Sequence, residues 1–226
     1  MTTQRILVWD IPTRLFHWLL AGSFAGAYLT SESERLAAIH VGCGYALLGL
    51  IGFRLIYGLI GSRYARFSEF VRGPGAVIDY LRSLLSGNPQ RFVGHNPAGA
   101  VAIMLLLVLG LATGASGFAM YNELGGEWLE DVHEACANAM LAVVILHVLG
   151  VIASSVLHKE NLARAMVTGR KEGSADEGIE RSHGFFALLL AAAVAALGWS
   201  STQSTGPVAG SIEKKHGKHE RGHDHD

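Results

Sequence analysis

The stretch VHEACANAMLAVVILHVLGVIASSVL, residues 132–157, decides the fold. It is longer than the ~20 apolar residues that cross a bilayer as a helix, and it carries two histidines, His133 and His147. At 100° per residue they fall about 40° apart around a helix and about 21 Å apart along it. They therefore share one face and lie near opposite ends of the span. Four further apolar stretches lie around it: Leu15–Thr30, Leu36–Ile60, Ala98–Met120 and Gly184–Ser200, the last being the shortest. Half of the 226 residues are apolar and only 16% are charged, against about 25% in soluble domains. A soluble enzyme is excluded, and a polytopic membrane chain is expected. The net charge of −1 leaves no basic footprint for nucleic acid. The first stretch is read as a retained span rather than a signal peptide, because Asp10 precedes it, His17 breaks its core and no small-residue cleavage pattern follows.

Basic residues set the orientation, since Lys and Arg collect in short cytoplasmic loops. Arg5 and Arg14 precede span one. Arg63, Arg66, Arg72, Arg82 and Arg91 lie between spans two and three, and Lys159, Arg164, Arg170, Lys171 and Arg181 between four and five. The opposite side carries only Arg35. The expectation is a multi-pass protein of the bacterial inner (cytoplasmic) membrane with its N-terminus cytoplasmic. Val77, Ile78, Leu81, Leu84 and Leu85 recur at helical spacing in the loop from Gly75 to Ser86. They predict a short helix, lying either on the membrane surface or under the bundle. Glu123, Glu127, Glu130 and Asp131 make the loop before span four acidic.

Ionisable residues inside a bilayer are costly and mark function. His17 lies at the inner start of span one and His40 near the outer start of span two. With His133 and His147 they form two layers, His17 facing His147 inside and His40 facing His133 outside. A pair of imidazoles from facing helices in a dry bundle is what six-coordinate haem iron requires, and two layers predict two haems. Zinc would need three or four ligands per site. The two cysteines, Cys43 and Cys136, form no C-x-x-C-H motif, which excludes covalent c-type haem. Arg54, 14 residues after His40, is assigned to an inner-haem propionate, with snorkelling to the inner surface as the alternative. Arg14 is read as assisting the inner haem and Arg35 the outer one. Gly44, Gly110, Gly114 and Gly117 would admit either a flat macrocycle or a neighbouring helix.

Val8-Trp9-Asp10-Ile11-Pro12-Thr13-Arg14-Leu15-Phe16-His17-Trp18 strongly resembles the opening of bacterial dihaem b-type cytochromes, the group of prokaryotic cytochrome b561 and the cytochrome b subunits of nickel–iron hydrogenases. The resemblance continues through His40, Arg54, His133 and His147 and covers about residues 6 to 170. It implies an all-α integral membrane four-helix bundle with two non-covalent b haems, passing electrons between membrane quinone and a partner. Gly94-His95-Asn96-Pro97-Ala98-Gly99 resembles a segment of the hydrogenase-type branch, although Asn96 capping a helix that begins with Pro97 accounts for most of it.

The expected organisation is a cytochrome domain over 1–170, a linker and fifth transmembrane helix over 171–200, and a His-rich disordered tail over 201–226. The expected function is electron transfer between the quinone pool and an extracytoplasmic redox partner, either cytochrome c or hydrogenase. Two alternatives stand beside it. One is a superoxide:quinone oxidoreductase of the same family, which the acidic outer loop disfavours because it repels an anion. The other is a metal-cation transporter loaded through the tail histidines His216, His219, His223 and His225.

Overall fold

The computed structural model describes residues 4–87 and 89–203, with side chains described as far as Val194 and at Ala196. The tail histidines lie outside the described residues. A short strand β1 (Gln4–Leu7) leads into α1 (Ile11–Thr30), followed by α2 (Ala37–Ile60), a four-residue turn of helix α3 (Phe67–Phe70), and α4 (Pro74–Leu85). Then come α5 (Pro97–Tyr121), α6 (Trp128–His158), the short α7 (Leu162–Thr168), strand β2 (Arg170–Gly173) and α8 (Gly184–Gln203).

Helix starts are written locally. Asp10 caps α1 by accepting the Thr13 amide at 3.0 Å, with Pro12 in the first turn. Asn96 caps α5 by accepting the Gly99 amide at 2.7 Å behind Pro97. Each arrangement satisfies an amide that the first turn would otherwise leave unpaired.

The long helices α1, α2, α5 and α6 form an antiparallel bundle in which α1 lies along α2, α2 along α5 and α5 along α6. The core runs through Phe16, Phe24, Leu47, Leu50, Ile51, Leu107 and Met140. The α2–α5 contact is close because Gly110 faces Ile51 and Met140 while Gly114 faces Leu48, so a Cβ at Gly110 would collide and one at Gly114 would crowd Leu48. For these two glycines helix packing is the observed use.

Three of the described helical segments are long and apolar enough to cross a membrane: Glu34–Ile60, Pro97–Tyr121 and Trp128–His158. Helix α1 has 20 residues, about 30 Å, but spends Arg14 and His17 in its first two turns. The fifth apolar stretch forms α8, which packs on α2 and α1 and adds Leu190 and Val194 to the core.

At the end of the bundle that holds the α1 start, β1 and β2 pair antiparallel, Gln4 opposite Gly173 and Leu7 opposite Arg170. Ile6, Val8, Trp9, Tyr64 and Ala165 form a second small core there. Gly169, at φ 79°, accepts the Val8 and Trp9 amides on its carbonyl, and a Cβ would strike the Trp9 carbonyl. Only glycine suits both demands. Residues 171–183, expected as a linker, fold back on this core: the Ile179 amide donates to the Leu7 carbonyl and the Ile11 amide to the Ser182 carbonyl. Lys171 is buried, donating to the carbonyls of Phe92 and Val93 at 3.1 and 3.0 Å and facing Glu160 at 3.6 Å. Burial lowers its pKa, and Glu160 opposes that shift.

Candidate cofactor site

His40 and His133 meet at the end of the bundle that holds the α1–α2 and α5–α6 turns. Their ring centroids are 6.1 Å apart and their planes cross at 68°. His40 Nδ1 lies 2.8 Å from the Ala27 carbonyl on α1, and His133 Nδ1 lies 2.9 Å from the Thr113 carbonyl on α5, with the Ser116 hydroxyl at 3.2 Å. A carbonyl only accepts, so each ring carries a proton on Nδ1 and is left with Nε2 as the nitrogen that can bind a metal. Metal-ligating histidines are fixed in this way. Two imidazoles on opposite sides of one metal, each about 2 Å from it, have centroids about 6 Å apart, and the observed spacing meets that requirement. Gly117 lies against the His133 ring, where a Cβ would approach its Cε1 to 3.0 Å, so glycine leaves the ring its place. Gly44, one turn beyond His40, has nothing within 4 Å of where a Cβ would stand, so the space beside it is open.

His17 and His147 lie toward the opposite end, within electrostatic reach of one another. Their rings make no pair as close as that of His40 and His133. His17 packs edge-on against Trp18 at 5.0 Å, and its buried Nδ1 has no hydrogen-bond partner. Among the described residues no group of three or more His, Cys, Asp or Glu converges as a metal site. The intramembrane histidines thus come in twos, a donor set that suits a planar macrocycle with two open axial positions.

The three arginines fall in different settings. Arg54 is only 3% exposed, and its guanidinium lies among Phe67, Phe70 and Phe16 at 4.8, 5.8 and 6.0 Å from the ring centroids. Phe16 immediately precedes His17, so Arg54 stands at the depth of the His17–His147 layer. One of its terminal nitrogens is buried without a partner. Arg14 is engaged elsewhere, donating to the Val167 carbonyl at 2.6 Å and tying α1 to α7. Arg35 is exposed in the turn before α2.

Two groups here do more than their local sequence signals. Asp10, besides capping α1, accepts the Tyr57 hydroxyl from α2 and lies 3.7 Å from His183 Nδ1 before α8. His95 is wedged between Trp9 and Phe70, with ring centroids at 4.5 and 4.6 Å. Enclosure, then the nearby charges of Arg54 and Lys171, lower its pKa to about 3 and keep it neutral. The Gly94–Gly99 segment drew attention to His95 without indicating its burial.

Residues 8–169 match the model of the family described as prokaryotic cytochrome b561. The chain belongs to that family. Among curated proteins it is similar to the "Probable Ni/Fe-hydrogenase B-type cytochrome subunit" of Rhizobium leguminosarum bv. viciae, 22% identical over 74% of this chain and 89% of that protein. Its counterpart in Cupriavidus necator is 28% identical over 72% of this chain and 85% of the relative. The one in Azotobacter vinelandii is 26% identical over 73% and 87%. No solved structure matches the chain. Membership makes the chain a membrane b-type cytochrome, and a b-type cytochrome implies haem b. The matched region ends one residue before β2, so β2 and α8 lie outside it, although α8 packs on its helices α1 and α2.

Proposed function

We propose that this cytochrome is the membrane electron-transfer subunit of a hydrogenase, working between that extracytoplasmic partner and the quinone pool with two haem b groups. His40 and His133 hold the outer haem, and His17 and His147 the inner one. The observation that carries this reading is the His40–His133 pair, 6.1 Å apart with both Nδ1 atoms turned to backbone carbonyls. Haem b, when bound, supplies reversible one-electron oxidation and reduction. The chain's own contribution is position and environment. The Ala27 and Thr113 carbonyls hold the outer imidazoles by Nδ1 and leave Nε2 for the iron, and four apolar helices surround them. Two histidines would hold each haem iron and leave no ligand position for a substrate, which suits electron transfer. The arginine-rich loops support an inner-membrane orientation with the N-terminus cytoplasmic.

The names of the relatives favour hydrogenase over a soluble cytochrome c as the partner. Glu123, Glu127, Glu130 and Asp131 precede His133 and are positioned to draw a cationic surface over the outer haem. Oxidised and reduced visible spectra with a haem assay should give two low-spin haems per chain. The same reduced sample, mixed with hydrogenase or cytochrome c over a salt series, should lose electrons at a rate that falls with ionic strength. One haem per chain, or a high-spin spectrum, refutes the two-site reading. A salt-independent rate refutes the docking surface.

Arg54 is proposed as the cation for an inner-haem propionate, because its buried nitrogen lacks a partner at the His17 depth. Removing a buried positive charge disfavours the electron-rich state. Arg54→Leu should therefore lower the inner potential by about 60 mV or more, the one-electron equivalent of a tenfold change, and leave the outer haem unmoved. An unchanged inner potential in a redox titration would exclude this role.

A further inference from the structure

The cavity beside His95 opens at the end of the bundle that carries β1 and β2, and none of the four paired histidines lines it. It encloses about 340 Å³ and is walled by Arg63, Arg72, Arg91, Tyr64, Phe70 and Phe92. Two carboxylates border it, and both are committed. Glu69 pairs with Arg63 at 3.5 Å, and Glu177 accepts the Ser174 amide at 2.9 Å in a capping box. Arg72 lies over the Phe92 ring at 5.3 Å. Among the described residues neither Arg72 nor Arg91 has a carboxylate within 4 Å. Arg91 also stands near a buried cation, Lys171. Unpaired guanidiniums gathered at one cavity repel each other, and an anion with several oxygens relieves that repulsion through forked hydrogen bonds.

Helix α4 indicates what kind of anion. Its buried Tyr80 packs against Phe92 at 5.6 Å, so the helix braces the cavity wall. It turns Ile78, Leu81 and Leu85 outward, exposed by 49, 46 and 90%. A helix anchored on one side, with an outward apolar stripe flanked by the exposed Asp79–Arg82 pair, suits the membrane interface. Val71, between α3 and Arg72, is also exposed. The cavity thus opens at the level of lipid headgroups, with an apolar surface beside it for an acyl chain.

We propose that Arg72 and Arg91 bind the phosphate of an anionic phospholipid whose acyl chains lie along the exposed face of α4. Basic pockets at the ends of membrane helices have the chemistry for this, and Arg63, neutralised by Glu69, serves as wall rather than ligand. The site accounts for the surface helix α4, which the electron-transfer reading leaves without a role.

The test uses the full chain in nanodiscs of equimolar phosphatidylglycerol and phosphatidylcholine, released into detergent and weighed by native mass spectrometry. The wild type should keep phosphatidylglycerol at least tenfold in preference to phosphatidylcholine. The Arg72→Gln/Arg91→Gln double variant should lose that preference, and Arg72→Lys/Arg91→Lys should keep part of it. Leu81→Gln, on the outer face of α4, should weaken retention while sparing the arginines. Circular dichroism checks that each variant remains helical, and if the glutamine pair does not fold, the lysine pair and Leu81→Gln decide. Equal retention of the two lipids by the wild type would overturn the proposal. So would a preference that survives in the glutamine pair, or in both the lysine pair and Leu81→Gln at wild-type strength. Displacement of the bound lipid by millimolar inorganic phosphate alone would also overturn it, because the site would then be one for a soluble anion.

Discussion

His133→Leu is expected to remove one haem of two, and the haem that remains should be the one that remains in His40→Leu. The two histidines come from different helices, α6 and α2, and are separated by most of the chain, yet their rings stand 6.1 Å apart with each Nδ1 committed to a carbonyl. Leucine fills the space of the imidazole and offers no ligand, so a single histidine remains to hold the iron. The comparison between variants makes the test sharp. The low-spin electron paramagnetic resonance signal left in His133→Leu and in His40→Leu should coincide, and it should differ from the signal left in His17→Leu and His147→Leu. If His133→Leu and His147→Leu leave the same signal, the assignment of layers is wrong. A graded variant separates ligation from orientation. Ser116 places its hydroxyl 3.2 Å from His133 Nδ1, so Ser116→Ala removes a group that steadies the ring and leaves the ligand. Losses of such supporting groups cost about 10–100-fold in metal affinity, and a shift of that order in outer-haem retention is expected.

The long helices and the depth of each histidine are legible because both are local properties. Hydropathy marks Leu36–Ile60, and the helix that forms there is Ala37–Ile60. The 14-residue interval between His133 and His147 fixes their shared face once the segment is helical. Caps are equally local, since Asp10 and Asn96 each reach an amide three residues away. What the sequence does not display is contact between distant segments. Strands of four residues, Gln4–Leu7 and Arg170–Gly173, are too short for periodicity, and each forms only because the other is there. Lys171 has the composition of a loop cation, and its burial depends on two carbonyls nearly 80 residues away. Arg54 is detectable as an arginine in an apolar run, but its three phenylalanines come from α1 and α3. Asp10 has two uses, and only the cap is written nearby. Its bond to Tyr57 spans 47 positions.

That second use of Asp10 carries the largest stability effect expected in the molecule. The carboxylate is fully buried where α1, α2 and α8 meet. One oxygen caps α1, the other accepts the Tyr57 hydroxyl, His183 stands 3.7 Å away, and the Arg54 charge lies within its field. Asp10→Ala removes a cap worth ~1 kcal/mol, leaves a buried hydroxyl unpaired at ~1–3 kcal/mol, and removes the carboxylate whose field favours the buried Arg54 guanidinium. These losses overlap, because all three depend on one side chain, and a net destabilisation of about 3 kcal/mol is the reasonable sum. Asp10→Asn keeps the cap but loses the charge and sets an NH2 donor where the second oxygen accepted the Tyr57 hydroxyl, so it should fall between wild type and Asp10→Ala in thermal unfolding of the detergent-solubilised protein. The sign of the coupling to Arg54 is the decisive measurement. In the wild type Arg54→Met removes a cation whose field favours a buried carboxylate and should destabilise. In Asp10→Ala it removes a buried charge with nothing opposite it, and should destabilise less or even stabilise. If Arg54→Met costs the same in both backgrounds, the two residues are not coupled, and Asp10 is a helix cap with a hydrogen bond to Tyr57 and no electrostatic role.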